Sequence, residues 1–262
     1  MGRIIGFLFA LLIPLSSVWP AKVDKGSLCQ LQPNGLPIPG PQVVLVYDIT
    51  EPYPEAVLRN LATRLTLEIG SVKPGTRLTL FIFDRAKAFH TSIPLDSFCL
   101  AGHYKGLDLI TAPNKNLLKK RRLAEIERLE TFLQENNPRV ATLGSPIIDA
   151  LFSAVTSQNI NTVATEIKIF LVSDLLEYSP YANFYKEKLT VNRAKDRAER
   201  IAENVRNSVP ELSKILSKVS DITFLYVKRE KDKSIQNELL VYFWTELLSS
   251  LQVKNRSFES IQ

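Results

Sequence analysis

The chain has 262 residues, enough for one large or two small domains. Its 45% hydrophobic and 23% charged content is that of a folded globular protein, which excludes a disordered chain. The formal net charge of +6 allows binding to an acidic partner or an anionic membrane without requiring either. The sequence shows no internal repeat and no low-complexity segment.

The amino terminus has the pattern of an export signal. Arg3 precedes an almost entirely apolar stretch at residues 4–18, which is short for a transmembrane span. Residues 1–21 therefore predict a secretory signal peptide or a retained N-terminal anchor, cleaved after Ala21 or, alternatively, after Ser17. We expect an exported protein, periplasmic or secreted, whose only membrane contact would be an uncleaved N-terminal segment.

The chain contains two cysteines, Cys29 and Cys99. In an exported protein an even pair predicts a disulfide bridge, and two buried thiols are the alternative. The two histidines, His90 and His103, are not oriented by any pattern into a Cys/His pair, so catalysis by either cysteine is not predicted.

Beyond an irregular, Pro- and Gly-rich lead-in at residues 22–41, apolar runs and amphipathic stretches alternate. The predicted strands cover residues 43–47, 77–83, 86–93, 167–172 and 222–227. The predicted helices cover residues 54–69, 117–135, 145–155, 192–207 and 235–251, and a long loop is predicted over 94–116. This alternation predicts a single domain over residues 42–262. Its fold class is α/β, with a mostly parallel central sheet, one antiparallel edge strand at 86–93 and helices on both faces.

Polar side chains follow the predicted strands where ligands bind in open α/β sheets. Asp48 and Thr50 follow the first strand, Asp174 follows the strand at 167–172, and Ser145 precedes a helix. Each residue also has a simpler interpretation. Asp48 and Thr50 are favoured residues for capping the first helix, Ser145 is an adequate N-cap, and Asp174 is able to bond loop amides.

These residues in this order resemble a von Willebrand factor type A domain over about residues 42–251. Residues 48–52 (DITEP) match the family's Asp-x-Ser-x-Ser motif in part. Gly144-Ser145 matches its Gly-Thr step, and Asp174 matches the aspartate that ends its fourth strand. The resemblance implies a metal-ion-dependent adhesion site that holds Mg²⁺ or Mn²⁺ through Asp48, Thr50, Ser145 and Asp174. Hydroxyls would ligate the ion directly, the aspartates mostly through water, and an acidic group of a protein partner would complete the octahedron.

Pro52 departs from the family pattern, because it has no side-chain oxygen to replace the second serine. Glu51 would compensate by turning inward, but a direct carboxylate ligand weakens the pull of the ion on an acidic partner. The sequence therefore predicts a degenerate site, with weak cation binding or none.

Three functions follow from this interpretation, and the favoured one is a non-enzymatic protein-binding module. Its partner-binding candidates are Glu51 and an aromatic loop with Glu177, Tyr178 and Tyr181. The alternative is a metal-free structural component of a bacterial envelope or conjugation-type assembly, since the chain is similar to exported bacterial A-type proteins, some of them encoded on mobile elements. A metal-dependent phosphoesterase using Asp48 is disfavoured by the lack of an Asp-x-Asp, a His cluster or a phosphate loop.

The basic cluster at 119–122 stands alone, so it predicts a solvated helix face and no nucleic-acid partner.

Overall fold

The sheet is built around β1, Gly40–Asp48, whose Val- and Leu-rich sequence is buried along most of its length. The structure is a computed structural model, and it describes residues 39–84, 93–103, 114–141, 144–161, 163–232 and 234–262. Successive side chains of a strand point to opposite faces, so a strand this apolar must be covered on both sides. A buried central strand is therefore expected, and β1 lies in the middle of the sheet.

Within the described residues, six strands form one sheet in the order β3-β2-β1-β4-β5-β6. β3 pairs antiparallel with β2, and the other pairs are parallel. The remaining strands are β2 Arg77–Phe83, β3 Asp96–Cys99, β4 Ala164–Ser173, β5 Val219–Val227 and β6 Arg256–Ile261. The predicted α/β class and the mostly parallel sheet with one antiparallel edge strand are confirmed.

Helices cover both faces of the sheet and produce two apolar cores. Val43, Leu45 and Tyr47 of β1 pack with α1 and α2, while Val44 and Val46 pack with α3, α5 and α7. The helices are α1 Glu55–Ser71, α2 Lys115–Glu135, α3 Ile147–Thr156, α4 Gln158–Asn161, α5 Val191–Ser208, α6 Leu212–Leu216 and α7 Glu238–Ser250. None of the helices in the described ranges is both long and apolar enough to cross a membrane.

The edges of the sheet differ from the prediction. The predicted strand at 86–93 lies outside the described residues except for Ile93, and the strand that pairs with β2 is β3, inside the stretch predicted as loop. β6 was not predicted, because its sequence Arg-Ser-Phe-Glu-Ser-Ile is too polar to resemble a buried strand. The short helices α4 and α6 were not predicted either.

The helix predictions were accurate at the core-facing positions and less so at the ends. The predicted inner face of α3 is buried: Ile147, Ile148, Leu151, Ala154 and Val155. On α2, by contrast, Leu123 was predicted to face the core and is 57% exposed. Phe132, which was not predicted to face the core, is buried instead, because most of the buried apolar residues of α2 lie near the C-terminal end of the helix.

The strand order reverses between β1 and β4, since the chain builds outward from β1 first to one side and then to the other. Parallel strands that diverge in this way leave a crevice at their carboxyl ends, and open α/β sheets bind ligands there. The carboxyl ends of β1 and β4 are Asp48 and Ser173, so the fold places the predicted polar residues at this crevice.

Candidate functional site

Asp48 is the buried centre of the site, with only 2% of its surface exposed. Its Oδ1 accepts hydrogen bonds from the Thr50 amide at 2.9 Å and the Thr50 hydroxyl at 2.6 Å. Its Oδ2 accepts from the Ser145 hydroxyl at 2.9 Å and the Ser173 hydroxyl at 2.8 Å. A carboxylate has about four lone-pair positions, so the protein itself occupies all of them.

The electrostatics of Asp48 follow from this burial. Removal from water raises the pKa of its carboxyl, and the hydrogen bonds from Thr50, Ser173 and Ser145 only partly offset that effect. Thr50 Oγ1 and Ser145 Oγ also lie 2.6 Å apart, so either hydroxyl is able to donate its single proton to the other in place of its bond to Asp48. The three hydroxyl groups and the carboxyl therefore form one compact cluster that joins β1, β4 and the loop before α3.

Simple helix capping does not explain Asp48, Thr50 and Ser145. The residue before α1 is Pro54 and the residue before α3 is Pro146, and neither helix has a side-chain cap bond from its N-cap residue. The predicted N-cap role of Ser145 is therefore wrong, because its hydroxyl points to Asp48 and Thr50 instead.

Asp174 lies beside this cluster and holds the loop that follows β4. Its Oδ1 accepts from the Leu176 amide at 2.8 Å, as the loop-amide interpretation expects. Leu175, which lies between Asp174 and Leu176, has φ of 66°, a left-handed conformation that is rare for a residue with a branched side chain. Its amide bonds the Ser173 hydroxyl at 3.2 Å and its carbonyl accepts from Trp244 Nε1 at 3.0 Å, so surrounding contacts fix the strained residue.

A guanidinium group completes the site. Arg229 follows β5 and forms ion pairs with Glu51 and Asp174, and its Nε lies 3.1 Å from Asp232 Oδ2 without hydrogen-bond geometry. Tyr185 Oη donates to Asp174 Oδ2 at 3.2 Å and lies at the same distance from Arg229 Nη2. The Arg229 side chain is 14% exposed, so its charge is held inside the crevice.

Glu51 turns inward as the sequence suggested, but its partners are basic side chains. Its carboxylate contacts Arg229 and also Lys231 Nζ at 3.0 Å. Partial burial raises the pKa of Glu51, while the hydrogen bonds and charges of Arg229 and Lys231 lower it, and the net shift is downward. Glu51 therefore stays ionised and paired at neutral pH.

The donor set does not fit a divalent cation well. Thr50 and Ser145 offer hydroxyl oxygens, but the lone pairs of Asp48 are already occupied and Asp174 is paired with Arg229. Mg²⁺ requires near-octahedral oxygen ligands and keeps several waters, which would have to bond free carboxylate oxygens. Elsewhere in the described ranges, no group of three or more His, Cys, Asp or Glu side chains is arranged to hold a metal ion.

Glu177 lies inside the protein with no exposed surface. Its Oε2 accepts from the Ile148 amide at 3.0 Å, so the carboxyl supports the first turn of α3. Burial raises the pKa of Glu177 to about 8. In this position the side chain stabilises α3 and does not reach a partner surface, unlike its predicted role.

The aromatic loop divides into buried and accessible side chains. Phe184 is buried edge-on against Phe243 of α7, with ring centroids 4.7 Å apart. Tyr178, Tyr181 and Tyr185 are half-buried, and Tyr178 lies edge-on to Tyr185 at 6.3 Å. The loop thus packs on the core through Phe184 and leaves tyrosine rings at the surface beside Asp174.

Two residues of the site were missed in the sequence. Ser173 is adjacent to Asp174 and was interpreted only as the end of a strand, although a hydroxyl at a strand end is the donor that a buried carboxylate needs. Arg229 lies two residues after the last predicted strand, and the Lys228-Arg229 pair at that strand end was the available signal. Its pairing with Glu51 and Asp174 depends on the tertiary fold.

The expected disulfide involves one residue inside the described ranges and one outside them. Cys99 ends β3, is buried and has no free thiol. Cys29, its expected partner, lies outside the described residues, as do the predicted export segment and His90. The bridge between Cys29 and Cys99 stays a prediction.

Comparison with known proteins adds little. No family model matches the chain, and no curated protein matches it. Among solved structures, the human COPII-coat protein Sec24c is similar over 87% of this chain, with 12% sequence identity and a TM-score of 0.34. The match spans only 30% of that protein's chain, and so distant a likeness supports no conclusion about family or activity.

Proposed function

We propose that this protein is an exported, von Willebrand A-type binding module that contacts an acidic surface of another protein. The contact is made by the strand-end face, defined here as the loops that follow β1, β4 and β5. The mostly parallel sheet with one antiparallel edge strand is what the resemblance implies, and Asp48, Thr50, Ser145 and Asp174 meet at the switch point of that sheet. These features support the proposal.

The observation that carries the proposal is the distribution of charge on the strand-end face. Among its acidic groups, Glu51 and Asp174 are paired inward with Arg229, and Glu187 is paired with Arg197. These carboxylates therefore add little negative charge to the surface. Outside them, the loops after β4 and β5 present exposed lysines: Lys186, Lys188, Lys228 and Lys231. A surface with buried acids and an exposed basic rim attracts acidic partners and speeds their association.

Half-buried tyrosines stand within this basic rim. Tyrosine contributes large contact area at low entropic cost and is enriched where binding energy is concentrated. A cavity of about 510 Å³ adjoins the loop after β4 and is lined by Leu175, Tyr226, Lys228 and the first residues of α7. Its lining combines apolar side chains with Lys228 and Glu238, so it suits a protein side chain that carries both apolar and polar atoms.

The same geometry disfavours the phosphoesterase alternative. A nucleophilic carboxylate must be reachable by substrate, whereas Asp48 is buried and its lone pairs accept four hydrogen bonds from Thr50, Ser145 and Ser173. The pairing of Arg229 with Glu51 and Asp174 favours a module that works without metal. That property is shared by the alternative of a structural component in an envelope or conjugation-type assembly.

Charge reversal on the strand-end face tests the proposal. Lys186→Glu/Lys228→Glu reverses two exposed charges of this face, whereas Lys73→Glu/Lys214→Glu reverses two exposed charges near the amino ends of β2 and β5. Proteins captured from extracts of the native host are quantified by mass spectrometry at low and high salt. We expect acidic partners to be captured by the wild type and by Lys73→Glu/Lys214→Glu, with less captured at high salt. Lys186→Glu/Lys228→Glu should not capture them. Equal capture by both variants would contradict the proposal.

A further inference from the structure

The charged cluster of the crevice leads to an inference that does not depend on the protein-binding proposal. Three carboxylates surround the Arg229 guanidinium, from Glu51, Asp174 and Asp232. Lys231 adds a second contact to Glu51, at 3.0 Å. The carboxylates belong to the loops after β1, β4 and β5, so one cationic side chain joins three strand ends that would otherwise repel one another.

The main chain holds Arg229 in this position. The Arg229 amide donates to Gln236 Oε1 at 2.7 Å. The Nε2 of the same glutamine donates to the Asp174 carbonyl at 2.8 Å and to the Val227 carbonyl at 2.9 Å. Gln236 is itself buried, so the backbone that carries the guanidinium is tied to the backbone of the aspartate that it neutralises. Gln236 thus fixes the Arg229 backbone, and the ion pairs with Glu51 and Asp174 hold the guanidinium inside the crevice.

A divalent cation and this guanidinium compete for the same negative groups. The aspartate after β4 would have to bond water around the ion, but its Oδ2 is paired with Arg229. Two like charges a few ångströms apart in a partly buried site repel each other strongly. Metal binding in the intact protein would therefore require Arg229 to leave.

We infer that Arg229 is the resident cation of this site: its guanidinium takes the place of a divalent ion and makes the strand-end face independent of metal. Hard oxygen donors are present in the crevice: the Asp174 and Glu51 carboxylates contact Arg229, and the Thr50 and Ser145 hydroxyls meet beside Asp48. Removal of the guanidinium takes away the ion-pair partner of Asp174 and, among the described residues, leaves Glu51 paired with Lys231 alone. Mg²⁺ or Mn²⁺ then becomes the natural counter-ion of these carboxylates.

The experiment is a titration of Mg²⁺ and Mn²⁺ into metal-stripped protein, followed by calorimetry and thermal melting. It uses the wild type, Arg229→Gln, Arg229→Lys and the double variant Arg229→Gln/Asp174→Asn. We expect no saturable binding at millimolar metal for the wild type and for Arg229→Lys, which keeps the positive charge. Arg229→Gln should bind at least about tenfold more tightly than the wild type. Its Tm should rise with metal concentration, as expected for a ligand of the native state.

The gain of binding should disappear in the double variant, because Asp174 is needed to balance the incoming ion. Should Arg229→Gln fold poorly, Glu51→Gln/Arg229→Gln removes one charge of each sign and undergoes the same titration. Saturable binding by the wild type that Asp174→Asn abolishes would overturn the inference, and so would the absence of any gain in every folded variant that lacks the guanidinium. None of these readouts requires the partner, so they stand or fall separately from the capture experiment.

Discussion

Asp48 illustrates how a buried carboxylate shapes its surroundings. Three neutral hydroxyls and one amide converge on it, and no basic side chain contacts it in the described part of the chain. Charge-assisted hydrogen bonds of this kind compensate for part of the cost of burying the group. The positive charge of the site is placed instead on Arg229, next to Glu51 and Asp174. The site is therefore divided into a hydroxyl-bonded half and an ion-paired half.

The hydroxyl-bonded half predicts a large effect of Asp48→Ala. The substitution leaves the Thr50 amide and three buried hydroxyls without their acceptor. Buried groups that lose a partner cost about 1–3 kcal/mol each when they cannot find another, so we expect a loss of about 2–4 kcal/mol in the free energy of unfolding. Urea denaturation measures it. The control is Asp221→Ala, at the start of β5, which removes one bond to Thr223 and should cost less than about 1.5 kcal/mol. Equal losses in the two variants would contradict the account.

Glu177 predicts a pH dependence of stability. Its pKa is about 8 in the folded protein and 4.5 ordinarily, so the folded state holds the proton more tightly. The stabilisation is complete below pH 4.5 and declines as the pH rises towards 8, with a slope of up to about 1.4 kcal/mol per pH unit. Glu177→Gln keeps an acceptor for the Ile148 amide and removes this slope.

The measurement is the free energy of unfolding of wild type and Glu177→Gln between pH 5 and pH 9. We expect the difference between the two curves to grow in favour of the variant as the pH rises, and to level off near pH 8. The exposed Glu166→Gln is the control and should run parallel to the wild type. A constant difference between wild type and Glu177→Gln across this range would rule out the buried carboxyl as the cause.

The strands differ in how well the sequence predicts them. β2 was predicted with its observed bounds, because Arg-Leu-Thr-Leu-Phe-Ile-Phe is a dense apolar run next to a Pro-Gly turn. β3 and β6 are edge strands with one partner each, so they need few apolar residues and leave a weak pattern. The same holds for the site. Asp48 and Asp174 were predictable because each follows or ends an apolar run, whereas the side chains that contact them depend on the order of the strands in the sheet.

The loop before α3 shows how two elements fit together. Gly144 has φ of 99°, and a Cβ added there would lie 2.6 Å from Cδ1 of Tyr178. Gly144→Ala therefore combines backbone strain with a clash against the aromatic loop, and we expect a loss of about 2–4 kcal/mol in the free energy of unfolding. Tyr178→Ala removes the clash but not the strain. The loss of unfolding free energy in the double variant Gly144→Ala/Tyr178→Ala should therefore be smaller than the sum of the losses in the two single variants. If urea denaturation shows that the two losses are strictly additive, the Tyr178 ring moves away from the added methyl group without cost, and the clash is excluded.

The described strands form one sheet whose two cores meet at β1, and the polar site lies at the only reversal of strand order in the described fold. The alternation of apolar runs was enough to predict this architecture and the crevice. The chemistry inside the crevice was less predictable, since Glu51, Asp174 and Arg229 come together from three separate loops. Local patterns indicate where a strand ends, but which charges pair across the crevice depends on the complete fold.

The expected bridge between Cys29 and Cys99 would tie the lead-in to the β3 edge of the sheet. A bridge across a loop of this length would stabilise the protein by about 4 kcal/mol in the chain-entropy account. A thiol assay on unfolded, unreduced protein should find no free cysteine, and reduction should lower the Tm. Two free thiols in the same assay would exclude the bridge.

Diffraction from crystals grown in Mn²⁺, with data collected at the manganese absorption edge, tests the metal-independent site most directly. We expect no anomalous peak within coordination distance of Thr50 Oγ1 and Ser145 Oγ, and the Arg229 guanidinium in contact with Glu51 and Asp174. A manganese ion bound to those hydroxyls, with Arg229 displaced from Asp174, would contradict the account and restore the adhesion-type metal site.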